Sequence, residues 1–455
     1  LLRAMVPALA HRGPDGAGNY RSGNVAMLHT RLAIIDLATG DQPFYELGGA
    51  ALVANGEIYN DRELRRDLPE IAFETQSDCE VPLHLYRRHG IGFTRKLRGM
   101  YALALHDPAA GRLLLARDPF GIKPLYYAET ARFFAFASQP QALIAAGIVA
   151  PLCSAAARNE LLQMQFSTGR ETIFAGINRV LPGEVVMVRQ GRIVERRRDE
   201  ALPAAGPLAL GEEAALRRLD QAFAASVAAH QRADVPIAMF LSGGIEATAL
   251  LVMMARLAGR AVTALTVGIG DGETADERTA ARAAAAALGA EPIEIAFGSD
   301  DFWRLLPAVA CATDDPAADY AMLPIYKLAA AASAEGLKVI LCGEGADELF
   351  AGYGRYRSVM RPWWAGGRVP RARGVLDGLG VLRGEIAGWR DGIAAAEARN
   401  AHACHSRLQV AQAVDCADWL PNDVLLKLDR CLSAHGIEGR TPFLDRGLAA
   451  LAFCL

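Results

Sequence analysis

With 455 residues, 52% hydrophobic and 22% charged, the chain can build two or more domains with cores of their own; 48 Lys+Arg against 51 Asp+Glu leave a net charge of -3, which excludes a strongly basic chain and does not suggest a nucleic-acid partner. No apolar run approaches the ~18 residues of a membrane span, and the start, LLRAMVPALAHRGPD, lacks a secretory pattern. The eight cysteines are scattered without paired spacing, which points to reduced thiols in a cytoplasm.

In chain order, the first part reads as strands. Short alternating or apolar runs at 24–29, 33–36, 50–54, 100–106, 112–117, 133–137 and 184–189 are strand candidates, and 79–89 and 140–146 read as helices. Runs of strands with few helices imply layered sheets. The stretch RRRDEALPAAGPLALG, residues 196–211, loses periodicity and gathers Pro, Gly and charge, so we place a linker there between domains 1–195 and 212–455. Polar turn residues are dense in this part: HRGPD at 11–15, His29-Thr30-Arg31, Asn55-Gly56-Glu57, Ser77-Asp78-Cys79 and RDPFGIKP at 117–124. Taken singly, each is a turn with caps: Asp78 suits an N-cap and Asn55-Gly56 a hairpin.

Beyond the linker, helix and strand alternate. Helices are expected at 212–230, 246–257, 275–288, 302–311 and 322–335, and strands at 235–241, 261–267, 291–296 and 337–341. This pattern gives a parallel sheet with helices on both faces and ligands at the carboxyl ends of its strands. Three of those ends carry polar or glycine-rich turns: Ser242-Gly243-Gly244, Val267-Gly268, and the run from Cys342 to Glu348. Strand, glycine turn and helix point backbone N–H groups at an anion, although a Ser-Gly-Gly turn alone serves equally as a plain turn. Further on, RPWWAGGRVPRARGVLDGLG reads as helices and a loop whose arginines form a solvated face, and the Ala-rich stretch 385–401 as a packing helix. The cluster His402-Ala403-Cys404-His405 has no second ligand pair at metal spacing and reads as helical surface.

Taken together, HRGPDG, HTRLAIID, NGEIYN, SDCEV, RDPFGIKPLYY and FASQPQALI resemble the glutaminase domain of the class II glutamine amidotransferases. GEGADELFAGY and LLKLDRCLSAHGIEGRTPFLD resemble the synthetase domain of the glutamine-hydrolysing asparagine synthetases, and the resemblance covers essentially the whole chain in order. It implies an α/β protein: an N-terminal αββα sandwich of the Ntn-hydrolase type, then a doubly wound parallel-sheet ATP-pyrophosphatase domain. It implies an ATP-dependent ligase that hydrolyses glutamine, channels the ammonia and amidates a carboxylate, by default aspartate, through an acyl-adenylate. ATP and Mg2+ are the implied nucleotide and metal, and a homodimer is known among such relatives.

The resemblance places the substrate α-carboxylate on Arg31, the α-amino group on Glu57 and Asp78, and the oxyanion hole on the Asn55 amide and Gly56 N–H. It places ATP on Leu241, Ser242, Gly243, Gly244, Thr248, Val267, Cys342 and Gly343, with Glu344 beside the reacting carboxylate, Asp429 and Arg430 near the substrate, and the metal on Glu246 and Asp347. The family's nucleophile is an N-terminal cysteine well upstream of HRGPD, and a lysine beyond PFLD acts on the phosphate; we expect both to lie outside this sequence. The phosphate loop departs from the family's Ser-Gly-Gly-x-Asp-Ser-Ser: Glu246 sets its carboxylate one methylene further out, Ala247 loses a hydroxyl and Thr248 keeps one. A lost charged hydrogen bond costs about 1.5–3 kcal/mol, which weakens binding by one to two orders of magnitude. Two other readings stand: a ring-closing or amide-forming ligase of a biosynthetic pathway, such as the β-lactam synthetases and lasso-peptide cyclases, and a binder that has lost catalysis.

Overall fold

The computed structural model describes residues 1–270, 277–384 and 386–455. The strands of the first part are β1 (Gly16–Ser22), β2 (Val25–Arg31), β3 (Phe44–Tyr45), β4 (Ala51–Ile58), β5 (Gly99–Asp107), β6 (Arg112–Arg117), β7 (Tyr126–Glu129), β8 (Phe134–Ala137), β9 (Asn178–Arg179), β10 (Glu184–Arg189) and β11 (Arg192–Arg198). They form an antiparallel six-stranded sheet, β11-β10-β6-β5-β4-β3, faced by a two-stranded sheet β1-β2 and a three-stranded sheet β8-β7-β9. Alternation along β4 to β6 splits their side chains between two cores. Leu52, Ala54, Leu103, Leu105 and Leu114 pack with helix Val81–His89, while Val53, Ala102, Ala104, Leu113 and Leu115 meet Met27, Leu125 and Tyr127 of the facing sheets. Helices Leu2–Leu9 and Pro140–Ala145 cover the far side of the three-stranded sheet through Met5, Ala142 and Leu143. The layers are therefore α, β, β, α. A cleft of about 760 Å³ opens between the two smaller sheets, lined by β2 on one side and β8 on the other.

The second part carries a parallel sheet of β12 (Ile237–Phe240), β13 (Thr263–Ile269), β14 (Glu291–Phe297), β15 (Val339–Leu341) and β16 (Glu438–Arg440), in the order β14-β13-β12-β15-β16. Met239, Leu241, Ala264, Val339 and Leu341 pack against helices Glu212–His230 and Ile245–Ala258 on one face. Ala238, Leu265 and Ile340 pack against Ser299–Ala312, Met322–Ala334 and Leu425–Ser433 on the other. This is a doubly wound sheet.

Some elements differ from expectation. Residues 33–36 are a loop, not a strand: Ile34 leaves the first part and enters the core of the second beside Val227, and the Asp36 N–H donates to Asp234 at 2.8 Å. Strands β1, β7, β11 and β16 and helices Leu2–Leu9 and Ala155–Met164 were not expected. Residues 402–405 are a turn rather than a helical surface, with both His405 ring nitrogens on backbone carbonyls. Residues 275 and 276 of one expected helix and Glu385 of another lie outside the described residues; their remainders form Glu277–Leu288 and Asp391–Asn400.

Candidate active sites

Five of the expected glutamine-contact residues meet in one place. Arg31, Asn55, Gly56, Glu57 and Asp78 line a cavity of about 140 Å³, closed from the second part by Leu425, Leu428, Asp429 and Ser433. Asn55 to Glu57 lie on β4, where Gly56 has φ +141° and a Cβ would stand 2.0 Å from the Met100 carbonyl oxygen, so glycine is required. The Asn55 Nδ2 group is buried and has no hydrogen-bond partner. Arg31, at the end of β2, donates to Asp41 at 2.8 Å and to the carbonyl of Asp36.

The two acids are set differently. Asp78 accepts from the Ile58 N–H at 2.5 Å; burial pushes its pKa up to about 6, against that bond, and the charge of Asp61 adds to the rise. Glu57 Oε1 lies 3.0 Å from Arg440 Nη2, while Oε2 is buried without a partner; burial holds its pKa well above the usual carboxylate range, and Arg440 opposes the rise. Cys79 also lines the cavity, but burial pushes its thiol up and it donates to the Gly56 carbonyl. A thiol so placed packs rather than attacks.

The expected nucleotide residues converge at the carboxyl end of the parallel sheet. The loop 241–244 joins β12 to helix Ile245–Ala258, with Gly243 at φ +81° and the Gly244 N–H donating to Ser242 Oγ at 3.3 Å. Val267 lies near the end of β13, and the Thr266 hydroxyl ties that strand to the Leu241 carbonyl at 2.7 Å. Cys342, Gly343 and Glu344 follow β15, and Thr248 is in the first turn of the helix after the loop. Glu246 folds over both glycine turns: a Cβ on Gly244 would lie 2.4 Å from its Oε1, and one on Gly343 3.0 Å from its Cγ. Burial raises Glu344 and Asp347 above the ordinary carboxylate range, and the charge of Glu246 raises both further. Three acids thus face one another across the turns, although among the described residues no group of three or more His, Cys, Asp or Glu has the geometry to hold a metal ion.

The structure sets Asp429 apart from that group. Arg12 grips it bidentately at 2.7 and 2.8 Å, and Arg430 Nη1 donates to it at 2.8 Å, where the two parts of the chain meet. Arg430 also reaches Asp314 at 2.9 Å. Sequence reasoning missed Lys427, which lies on the nucleotide side: two residues along a helix turn about 200°, so Lys427 and Asp429 face opposite ways. Lys427 Nζ lies 2.5 Å from Asp319 and lowers the pKa of Glu344 and of Asp423. Asp423 has both carboxylate oxygens buried without a partner, and burial lifts it to about 7. The signal of Lys427 was in the sequence, as the one charged residue in the otherwise apolar run VLLKL, residues 424–428.

Residues 1–198 match the glutamine amidotransferase domain model, and residues 218–455 match that of asparagine synthase. The chain is 31% identical over 491 residues to the glutamine-hydrolysing asparagine synthetase 1 of Bacillus subtilis (strain 168), an alignment spanning 98% of this chain and 76% of that protein. It is 32% identical over 504 residues to a putative glutamine-hydrolysing asparagine synthetase of Mycobacterium tuberculosis (strain ATCC 25618 / H37Rv), with the same coverage. Amidase chyE of Penicillium rubens is 31% identical over 377 residues, 78% of this chain and 55% of that protein. With an antiparallel αββα part, a doubly wound parallel part and these matches along its length, the chain belongs to the family of glutamine-hydrolysing asparagine synthetases.

Proposed function

We propose that the protein hydrolyses glutamine in the first cavity, passes the ammonia inward and amidates a carboxylate activated by ATP in the second site, with aspartate as acceptor. One observation carries the reading: an unpartnered Asn55 amide and Gly56 face a cavity whose inner wall is already the synthetase part. In this reading Arg31 binds the α-carboxylate of glutamine, Glu57 and Asp78 hold its ammonium, and the family's N-terminal cysteine attacks the side-chain amide. The Asn55 Nδ2 and Gly56 N–H then donate to the oxygen on which charge develops. Ammonia leaves past Leu425 and Leu428, apolar walls that offer it no proton.

In the second site Leu241 to Gly244, Thr248, Val267, Cys342 and Gly343 seat ATP, and the backbone N–H groups of the glycine turns meet its phosphates. The acceptor carboxylate lies between Glu344 and Lys427. Glu246, whose side chain lies against Gly244 and Gly343, and Asp347, in the helix that follows the second turn, are hard oxygen donors of the kind that would hold Mg2+. When bound, that ion screens phosphate charge against the incoming carboxylate. A second reading, amide or lactam formation on another carboxylate, is favoured by the likeness to amidase chyE and by the altered turn at Glu246 and Ala247.

The test is product stoichiometry: glutamate, AMP, pyrophosphate and asparagine in equal amounts from glutamine, ATP and aspartate support the first reading. Glutamate with AMP but no asparagine supports the second, and neither glutamate nor ATP–pyrophosphate exchange with any carboxylate removes both.

A further inference from the structure

Strand β16 is three residues long and sits at the edge of the parallel sheet, yet its two charged side chains both cross into the amidotransferase part. Glu438 reaches Lys123 at 3.1 Å, and Arg440 reaches Glu57 at 3.0 Å. The Arg440 side chain is 0% exposed and is clamped on three sides. Its Nε donates to Glu438 at 3.0 Å, and its Nη1 donates to the carbonyls of His230 at 2.8 Å and Arg232 at 2.6 Å. Only Nη2 is left, without a hydrogen bond of its own, and it faces the carboxylate of Glu57. The main chain of the same residue looks the other way: its carbonyl accepts from the Cys342 N–H at 2.8 Å, and Leu341 is its partner in the parallel register. One residue therefore fixes the start of the nucleotide turn with its backbone and an acid of the glutamine cavity with its side chain.

We propose that Arg440 is a positioning residue shared by the two sites, acting on glutamine through Glu57 and on the nucleotide turn through its carbonyl, so that nucleotide and glutamine alter each other's affinity. This rests on the reading of the first cavity as the glutamine site. The fixed guanidinium orients Glu57 so that its unpartnered Oε2 is presented to the ligand's ammonium. A displacement of the turn 342–344 is passed to the same guanidinium through the hydrogen bond from the Cys342 N–H to the Arg440 carbonyl. Coupling of this kind is reciprocal: each ligand must shift the other's affinity by the same factor.

The test is calorimetric and needs no turnover. Glutamine binding to the whole chain is measured with and without AMP-CPP, the ATP analogue whose α,β-methylene bridge cannot be cleaved, plus Mg2+, in the native chain and in Arg440→Gln, Arg440→Lys and Glu57→Gln. In the native chain the analogue changes the glutamine Kd at least threefold. In Arg440→Gln the Kd weakens tenfold or more and the analogue's effect disappears, while AMP-CPP itself still binds within threefold. Arg440→Lys, which keeps the charge but not the clamp, recovers glutamine affinity only in part. In the Glu57→Gln background, Arg440→Gln adds less than twofold. An unaltered Kd in Arg440→Gln, or loss of glutamine and AMP-CPP binding together with a lowered Tm, overturns the proposal, the second because it marks a merely structural arginine. Absence of glutamine binding in the native chain refutes the site reading itself, and the proposal with it.

Discussion

Replacing Arg430 by Met breaks a fully buried ion pair inside the second part of the chain, where that part meets Tyr126 and Ser138 of the first. Arg430 and Asp314 are both 0% exposed at the side chain, and their contact is 2.9 Å. Met keeps most of the apolar stem but removes the donors to Asp314 and Asp429 and the weaker contacts to Tyr126 and Ser138. Asp429 retains both bonds from Arg12, whereas Asp314 retains only the Gln141 N–H at 3.0 Å. A buried carboxylate left this way costs about 3–5 kcal/mol. At roughly 2.1 cal/mol/K per residue over 455 residues, that lowers the Tm of one cooperative unit by about 3–5 °C. Urea unfolding at pH 7.5 measures it, and Arg430→Met/Asp314→Leu should regain at least about 2 kcal/mol, because replacing both members of a buried pair by apolar groups is nearly neutral. A loss under about 1 kcal/mol in the single variant, or additive losses in the double one, would refute the argument.

Asp78 gives a pH signature of two opposite signs. Its folded pKa is raised from 3.8 to about 6, so its contribution to stability is present below pH 3.8 and is lost as pH rises through 6, while glutamine, which needs the ionised acid, binds more tightly over the same rise. Calorimetry between pH 5 and 8 should show this slope in the native chain and a flatter one in Asp78→Asn. Asn55→Ala should lower the glutaminase kcat of the full-length enzyme by about 10²–10³ with little change in KM, as expected for a donor used in the transition state; a pure KM effect would contradict the oxyanion role. Glu246→Ala should raise the Mg2+ needed for half-maximal ATP–pyrophosphate exchange by about tenfold or more, and chelation should abolish exchange. An unshifted Mg2+ profile would remove Glu246 from the metal site.

The expected glutamine-contact residues were legible through the resemblance of the strings that hold them, although Asn55, Gly56 and Glu57 lie on β4 and Arg31 at the end of β2 rather than in turns. The parallel sheet was legible because alternation of helix and strand is a long-range pattern that single errors do not spoil. What stayed hidden lay where the two parts touch. β16, Glu-Gly-Arg, has no apolar alternation, since its side chains are spent on partners across the interface. Ile34 and Ile35 carry the β-branched signature of a strand, but they serve as an anchor into a core more than 190 residues away in sequence. β1, Gly16–Ser22, holds two glycines and a single buried residue, Tyr20, and so offers no periodicity to read. Asp429 was placed near the acceptor because a motif names neighbours in sequence, and a helix sends neighbours to opposite sides.

The charges along the boundary belong to different halves pair by pair. Arg12, Arg98, Lys123 and Arg179 meet Asp429, Asp445, Glu438 and Asp315, while Asp15, Glu57 and Asp61 meet Lys338, Arg440 and Arg232. Asp429, Glu438 and Asp61 also have an arginine of their own half beside them, Arg430, Arg440 and Arg65. Among the described residues, however, Arg12, Arg98, Arg179, Asp315 and Asp445 are paired only across the boundary, so each half made separately would show a face of unmatched charge. Among the described residues the boundary has seven such keyed positions, and an amidotransferase half borrowed from a relative seats on this synthetase half only if it carries the matching sign at the buried ones, such as Arg12, Lys123, Arg179 and Glu57.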